Sequence, residues 1–437
     1  LRDKEGNVIE EKKLTLMKVP YLTERGTFIR GGNEYVTVNQ LRLLPGPFTR
    51  RQQNGILETQ FNVRQGTGSN FQVAMLPETS EFRLWVKGSD LHLYSLLKDM
   101  GVSDDELKER WGEEIFQKNS LRYDKRVLDK AYEKLVPKWA RPNVNRPLSV
   151  DEKRDAIRSA LNGYQVHKSI AERNLPPLVR RALENRNQKT ASVHVSPVLR
   201  NTLLGKKLAS TVDFSVDKSE EEKQKERISP QAMIRTQDDG EEYVPIGFDS
   251  VLDATDRILQ VSRGEVKPDD RDHYANKKVF TPAALLRERI RIDADHTRRK
   301  LARFVANTKS LKVLTPGIFN AYAEGLLSGN PLSSPIEEIN PISLIEQSRR
   351  LTHFGPGGIN SEDAITESMQ SVHPSQFGFI SAIEGPESSR AGVDVRAAIG
   401  AKIGSDGRIY QKFRRKDGSE VWLNPQQLMT MVVKLPD

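Results

Sequence analysis

A change of hydrophobic period along the chain constrains its fold more than any other feature. Residues 18–48 carry a period of two. Gly26-Thr27-Phe28-Ile29-Arg30 precedes a Gly31-Gly32 turn, and Tyr35-Val36-Thr37-Val38 follows with a β-branched bias. Pro45-Gly46-Pro47 is expected to end this segment, because proline cannot donate to a ladder. Strand patterns resume at Phe71–Met75 and Phe82–Lys87. From about residue 90 the period is helical, and the capping-box patterns Ser103-x-x-Glu106 and Ser149-x-x-Glu152 predict helices at Leu107–Phe116 and Ala156–Leu161. The polar run Ser215–Arg227 reads as an exposed loop or linker, and Tyr243–Val261 as structured again. Pro282 suits the first turn of a long helix from Ala283 to about Asn307. Leu286, Ile290, Ala294, Thr297, Leu301 and Phe304 form its stripe, and Arg287, Arg291, Arg298 and Lys300 occupy other faces. Thr315-Pro316 opens a shorter helix through Leu327, and hairpins are expected at Asp406-Gly407 and Asp417-Gly418. The fold class is α+β and multidomain: a β-rich core with an inserted α-rich domain over 50–265.

Composition narrows the chemistry. The 437 residues hold 68 Lys and Arg against 59 Asp and Glu, a net charge of +9, which favours a polyanionic partner. The excess is spread over short clusters such as Arg298-Arg299-Lys300 and Arg414-Arg415-Lys416, each of which alone reads as a solvated face. Cysteine is absent, which excludes disulfides, thiolate nucleophiles and Cys-based metal sites. No run approaches the roughly 18–20 apolar residues of a transmembrane helix. The start, Leu1-Arg2-Asp3-Lys4-Glu5, has no apolar h-region and no initiator Met, so a signal peptide is not expected and the true N-terminus is expected to lie upstream. The seven histidines never fall at metal-ligand spacing, with His353 and His373 too far apart to form a signature. Gly66-Thr67-Gly68 lacks the third glycine of a dinucleotide fingerprint, no serine has a G-x-S-x-G context, and Asp269-Asp270-x-Asp272-His273 reads as a solvated turn. No catalytic residue and no metal ligand is expected in this chain.

Arg349-Arg350 followed by Gly355-Pro356-Gly357-Gly358 leaves two readings open. Guanidinium forks beside backbone without side chains suit phosphate recognition. An arginine pair bridging acidic neighbours next to a plain turn is equally compatible.

Five segments, in order, resemble the β subunit of multisubunit DNA-directed RNA polymerases. They are Gly26-Thr27-Phe28-Ile29 through Gly32, Glu34, Val36, Val38, Gln40-Leu41 and Pro45-Gly46; Asp269-Asp270-x-Asp272-His273 with Asn276-Lys277-Lys278-Val279; Asn340-Pro341-Ile342-Ser343 through Arg349-Arg350-Leu351 and Gly355–Gly358; His373-Pro374-x-x-Phe377-Gly378; and Ile383-Glu384-x-Pro386-Glu387. The likeness covers residues 18–48 and 265–437 and reaches the stretch between them only by position.

The resemblance implies a protrusion- and fork-like β segment at 1–49, a lobe-like insert at 50–265, a helical protrusion-like segment at 266–335 and a fork-like region lining the RNA/DNA path at 336–437. Asn340, Gln347, Arg349, Arg350, Gly357, Gly358, Glu387 and Arg390 are thereby expected near nucleic acid. Catalytic Mg²⁺ is expected on a partner, because this chain has no N-A-D-F-D-G-D segment and stops before the β half that supplies active-centre lysines. The implied partners are that C-terminal β part, β′-type subunits carrying the aspartates, a possible promoter-specificity subunit, template DNA and product RNA. A β divided into two polypeptides looks like the polymerases of giant tailed phages, which implies the cytoplasm of an infected bacterium, with virion packaging possible. Ser361 and Asp363 replace the family's arginines around Glu362, and Arg390 stands where the family has Asn or Ser. Gln347, Ser334 and Pro335 alter the rifamycin pocket, so rifampicin insensitivity is expected. The alternative is an independent nucleic-acid-binding regulator with a β-like domain.

Overall fold

The computed structural model describes residues 8–141, 146–167, 170–171, 243–308, 310–365 and 367–433, so the Ser215–Arg227 run lies outside the described residues. They divide into two compact units, one made of residues 8–43 and 272–433, the other of residues 44–171 and 243–271.

The first unit opens with β1 (Tyr21–Leu22), β2 (Phe28–Arg30) and β3 (Asn33–Thr37), antiparallel in sequence order, then β4 (Asn39–Leu43). Gly31 and Gly32 have φ of +56° and +85°, the pair of positive values that a tight two-residue hairpin requires.

In the second unit, β5 (Gly46–Arg51), β6 (Leu57–Asn62), β7 (Phe71–Met75), β8 (Phe82–Val86) and β9 (Ser89–His92) form an antiparallel sheet in that order. Pro45-Gly46-Pro47 therefore does not simply end a β segment. A new strand begins at Gly46, and Pro47 is tolerated because β5 lies at the edge of its sheet. Helices α1 (Leu93–Asp99), α2 (Asp104–Trp111), α3 (Glu113–Ser120), α4 (Val127–Leu135) and α5 (Val150–Gly163) follow, then β10 (Gln165–His167), β11 (Tyr243–Pro245) and α6 (Asp249–Ser262). The single helix expected over 107–116 is two, broken at Gly112, whose φ of +83° suits only glycine. At Ser149 and Glu152 the capping box is complete. Phe61 stacks on Phe71 with centroids 4.5 Å apart, and the buried Trp111 packs on Phe82 and donates through Nε1 to Thr255 Oγ1 at 2.9 Å.

The first unit resumes with β12 (Lys277–Phe280), α7 (Pro282–Thr308), α8 (Asn320–Ser328), β13 (Ser333–Pro335), α9 (Pro341–Arg349), β14 (Arg350–Thr352), β15 (Asp394–Arg396), β16 (Lys402–Ile403), β17 (Ile409–Arg414) and β18 (Glu420–Leu423). Helix α7 matches the long helix expected, but its stripe is only half covered: Phe304 is exposed and Leu285, one residue off the stripe, is buried. Helix α8 starts five residues after Thr315. The Gly317 and Phe319 amides instead donate to Thr15 and Leu16 carbonyls, and Asn320 Oδ1 accepts from Lys18 N.

One sheet of this unit gathers segments far apart in sequence, in the order β12-β4-β14-β15. β4 runs antiparallel to β12 and parallel to β14, which pairs antiparallel with β15. Because side chains alternate, Leu41, Val279, Leu351 and Val395 share one face, where they pack with Tyr274, Phe379, Ile380 and Ile409. Gln40, Arg42, Arg350, Thr352, Asp394 and Arg396 fall on the other face.

Candidate nucleic-acid interface

The polar face of this sheet and the turns at its ends hold most of the expected residues. Helix α9 starts where it does because Asn340 caps it. Asn340 Oδ1 accepts from Ile342 N and Ser343 N at 2.8 and 2.9 Å, and the Ser343 hydroxyl accepts from Asn340 N. In sequence Asn340-Pro341 stands out as part of a family-like segment; the S/T/D/N-to-N3 spacing is the available signal for the cap. The buried Gln347 turns inward, its Nε2 donating to Glu337 O at 2.7 Å and its Oε1 accepting from Glu337 N at 3.2 Å.

The two open readings of Arg349-Arg350 divide between the two residues. Arg349, at the end of α9, forks onto Glu384 at 3.0 and 2.7 Å, and its Nε and second terminal nitrogen donate to Ala397 O at 3.0 and 2.6 Å. The hydrogen bond from Arg349, then one from Ser381, holds the Glu384 carboxyl below the usual carboxylate range. The neighbouring Arg350 is half-buried, and its side chain makes no hydrogen bond or ion pair with the described residues.

The glycines after β14 serve close packing. Gly355 and Gly357 have φ of +108° and +80°. A Cβ on Gly358 would collide with the His353 carbonyl and lie 2.8 Å from Gln40 Nε2. That turn is closed by Gly358 N to Gly355 O at 2.9 Å and Ile359 N to His353 O at 2.9 Å. Gln40 Nε2 donates to Phe354 O at 2.8 Å, while Arg42 Nε donates to Gln40 Oε1 at 2.7 Å and Arg42 reaches Glu288 of α7 at 2.5 Å. Sequence reasoning does not single out Gln40, Arg42 or Glu288 as site residues; Gln40 lies in a family-like segment, but only the fold shows it holding the turn. The half-buried His353 is pushed down to about 3 by desolvation first and then by the charge of Lys277.

Arg390 is exposed. Its guanidinium sits 4.9 Å from the Phe354 ring centroid, bonds Glu362 at 3.0 Å and faces Asp394 at 3.7 Å. Glu387 is exposed on the same connection, and its side chain has no hydrogen bond or ion pair among the described residues. His273 and His373, treated separately in sequence, bring their rings to 5.4 Å, and each accepts at Nδ1 from a backbone amide two residues on. Among the described residues no group of three or more acidic or histidine side chains could hold a metal ion, and no helix is long and apolar enough to cross a membrane. The arrangement offers forked donors on a braced scaffold, a chemistry for binding anions.

Residues 335–403, which run from β13 past β15, match the family model described as RNA polymerase Rpb2, domain 3. Across nearly its whole length the chain is similar to DNA-directed RNA polymerase subunits beta. The one from the fern Adiantum capillus-veneris is 23% identical over 436 residues, covering 96% of this chain and 36% of the relative. The one from Synechococcus elongatus is 27% identical over 440 residues, covering 96% and 34%. A Prochlorococcus marinus subunit is 23% identical over 452 residues, covering 97% and 35%. The chain is thus similar to β-type RNA polymerase subunits, and it spans about a third of the length of the relatives it matches.

Proposed function

We propose that this chain is the N-terminal part of a β-type subunit of a multisubunit DNA-directed RNA polymerase, forming part of the cleft that holds template DNA and nascent RNA. The observation that carries the reading is the sheet β12-β4-β14-β15: three of the five family-like segments supply its strands β4, β12 and β14, and the other two lie on the connection from β14 to β15. Its polar face presents Arg350, with Arg390 and Glu387 on adjoining turns, to a polyanion recognised by backbone and shape. Asn340, Gln347, Arg349, Gly357 and Gly358 set the geometry of that surface.

The chain does not act alone in this account. Catalytic Mg²⁺ and its carboxylates belong to a β′-type partner in this reading, and the C-terminal part of β completes the subunit. Exposed apolar side chains in the first unit, among them Ile383 at 93% and Ile399 at 83% exposure, favour a subunit over an independent regulator. Mixing the purified chain with its co-purifying partners should give Mg²⁺-dependent, template-directed RNA synthesis that is lost when the chain is left out. A partner set fully active without it would refute the proposal. Rifampicin is expected to leave that synthesis unaffected, since the Gln347 amide is already engaged by Glu337 and β13 brings Ser334 and Pro335 in place of other side chains. Inhibition at low drug concentration would contradict this.

A further inference from the structure

Arg350 and Arg396 are direct partners in the antiparallel β14–β15 pair, so their side chains leave the sheet on the same face, side by side. Like charges so placed repel. Elsewhere on this face each charge is answered. The Thr352 hydroxyl donates to Asp394 Oδ1 at 2.5 Å, Asp394 faces Arg390, and Arg42 meets Glu288.

At Arg350 and Arg396 no such answer comes from the described residues. The Arg350 side chain has no partner among them, and Arg396 Nε is buried without an acceptor. Glu384 acts on Arg396 through charge, while both of its oxygens receive Arg349. Arg349's other donors end on Ala397 O. Arg349 and Arg396 therefore share one half-buried carboxylate, and Arg350 stands directly opposite Arg396. A buried guanidinium N–H without an acceptor is costly, and so is the repulsion beside it. One anion lying between the two guanidiniums would relieve both.

We propose that Arg350 and Arg396 form a phosphate-binding site, and that the phosphate it takes belongs to a nucleic-acid backbone. Guanidiniums match phosphate because two N–H groups of each fork can reach two oxygens of the tetrahedral group. Arg349 holds both oxygens of Glu384, so the Glu384 charge reaches Arg396 without a hydrogen bond between them. The identification of the phosphate as nucleic acid rests on the proposed function; the anion site does not.

The test uses the whole 437-residue chain. The Nε–H resonances of Arg350 and Arg396 are assigned from Arg350→Gln and Arg396→Gln, then followed while inorganic phosphate replaces chloride at constant ionic strength, and separately while a short single-stranded RNA is added. Both resonances should move in both titrations. In Arg396→Gln, RNA affinity should fall several-fold, and the slope of log affinity against log salt should shrink by about 0.7, the value for a single phosphate no longer neutralised. A response to phosphate without one to RNA keeps the anion site and overturns its nucleic-acid assignment. No response to either, in a chain whose backbone spectrum shows it folded, overturns the proposal. So does an Arg396→Gln chain with unchanged RNA affinity and salt slope.

Discussion

Replacing Gln40 by Leu should loosen the Gly355–Ile359 turn while leaving the second unit untouched. Gln40 is fully buried and serves two partners at once, donating to Phe354 O at 2.8 Å and accepting from Arg42 Nε at 2.7 Å. Leucine has nearly the same size but neither function. The Arg42 contact is a hydrogen bond to a charged group, worth about 1.5–3 kcal/mol, and the carbonyl contact is neutral, worth about 0.5–1.5 kcal/mol. Arg42 keeps Glu288 and its cation–π contact with Phe280 at 4.3 Å, which limits the damage to the site. The net loss should be about 2–4 kcal/mol, or roughly 30- to 1,000-fold in the opening equilibrium of the turn. Native-state hydrogen exchange reads this directly at the Gly358 and Ile359 amides, both hydrogen-bonded within the turn. The Trp111 and Ile258 amides of the second unit serve as internal controls. Unchanged protection at 358–359, or an equal loss in both units, would refute the reasoning.

Other outcomes follow from the same geometry. Gly358→Ala should destabilise the first unit by about 1–3 kcal/mol, because its Cβ meets the His353 carbonyl and Gln40 in a packed site; an unchanged urea midpoint for that unit would contradict the packing. His353 should stay neutral from pH 8 to pH 5. Its folded pKa lies below the unfolded value near 6.5, so the associated stability is complete above about pH 6.5 and is lost as pH falls toward 3. An imidazole NMR titration with a midpoint near 6 would contradict that environment. Trp111→Phe should cost about 1–2 kcal/mol in the second unit, since the buried indole N–H bonds Thr255; the loss, read from that unit's urea midpoint, is moderated because the Thr255 hydroxyl still donates to Leu252 O.

Local signals carry much of the fold. Gly31-Gly32, Asp406-Gly407 and Asp417-Gly418 each mark a hairpin, and Phe71–Met75 is a strand over the expected residues, because turn chemistry and alternation act over a few positions. Where distant segments compete, local reading fails. Thr315–Phe319 does not start a helix because its amides bond the N-terminal segment, and Pro47 enters a strand because that strand lies at an edge. The interface is legible in its motifs and not in its roles. Sequence places Arg349 and Arg350 side by side but does not show that one is bound to Glu384 and the other faces Arg396. That division depends on a pairing across some 45 residues, which no local pattern encodes.

The central claim is that this chain completes the nucleic-acid cleft of a multisubunit RNA polymerase. Affinity capture of the chain from its native source, with mass spectrometry and templated nucleotide incorporation on the captured material, tests it most directly. The account predicts co-purification of the C-terminal β part and of a chain bearing the β′ aspartate motif, with Mg²⁺-dependent RNA synthesis. A chain that emerges alone, soluble and binding nucleic acid without such partners, would contradict it.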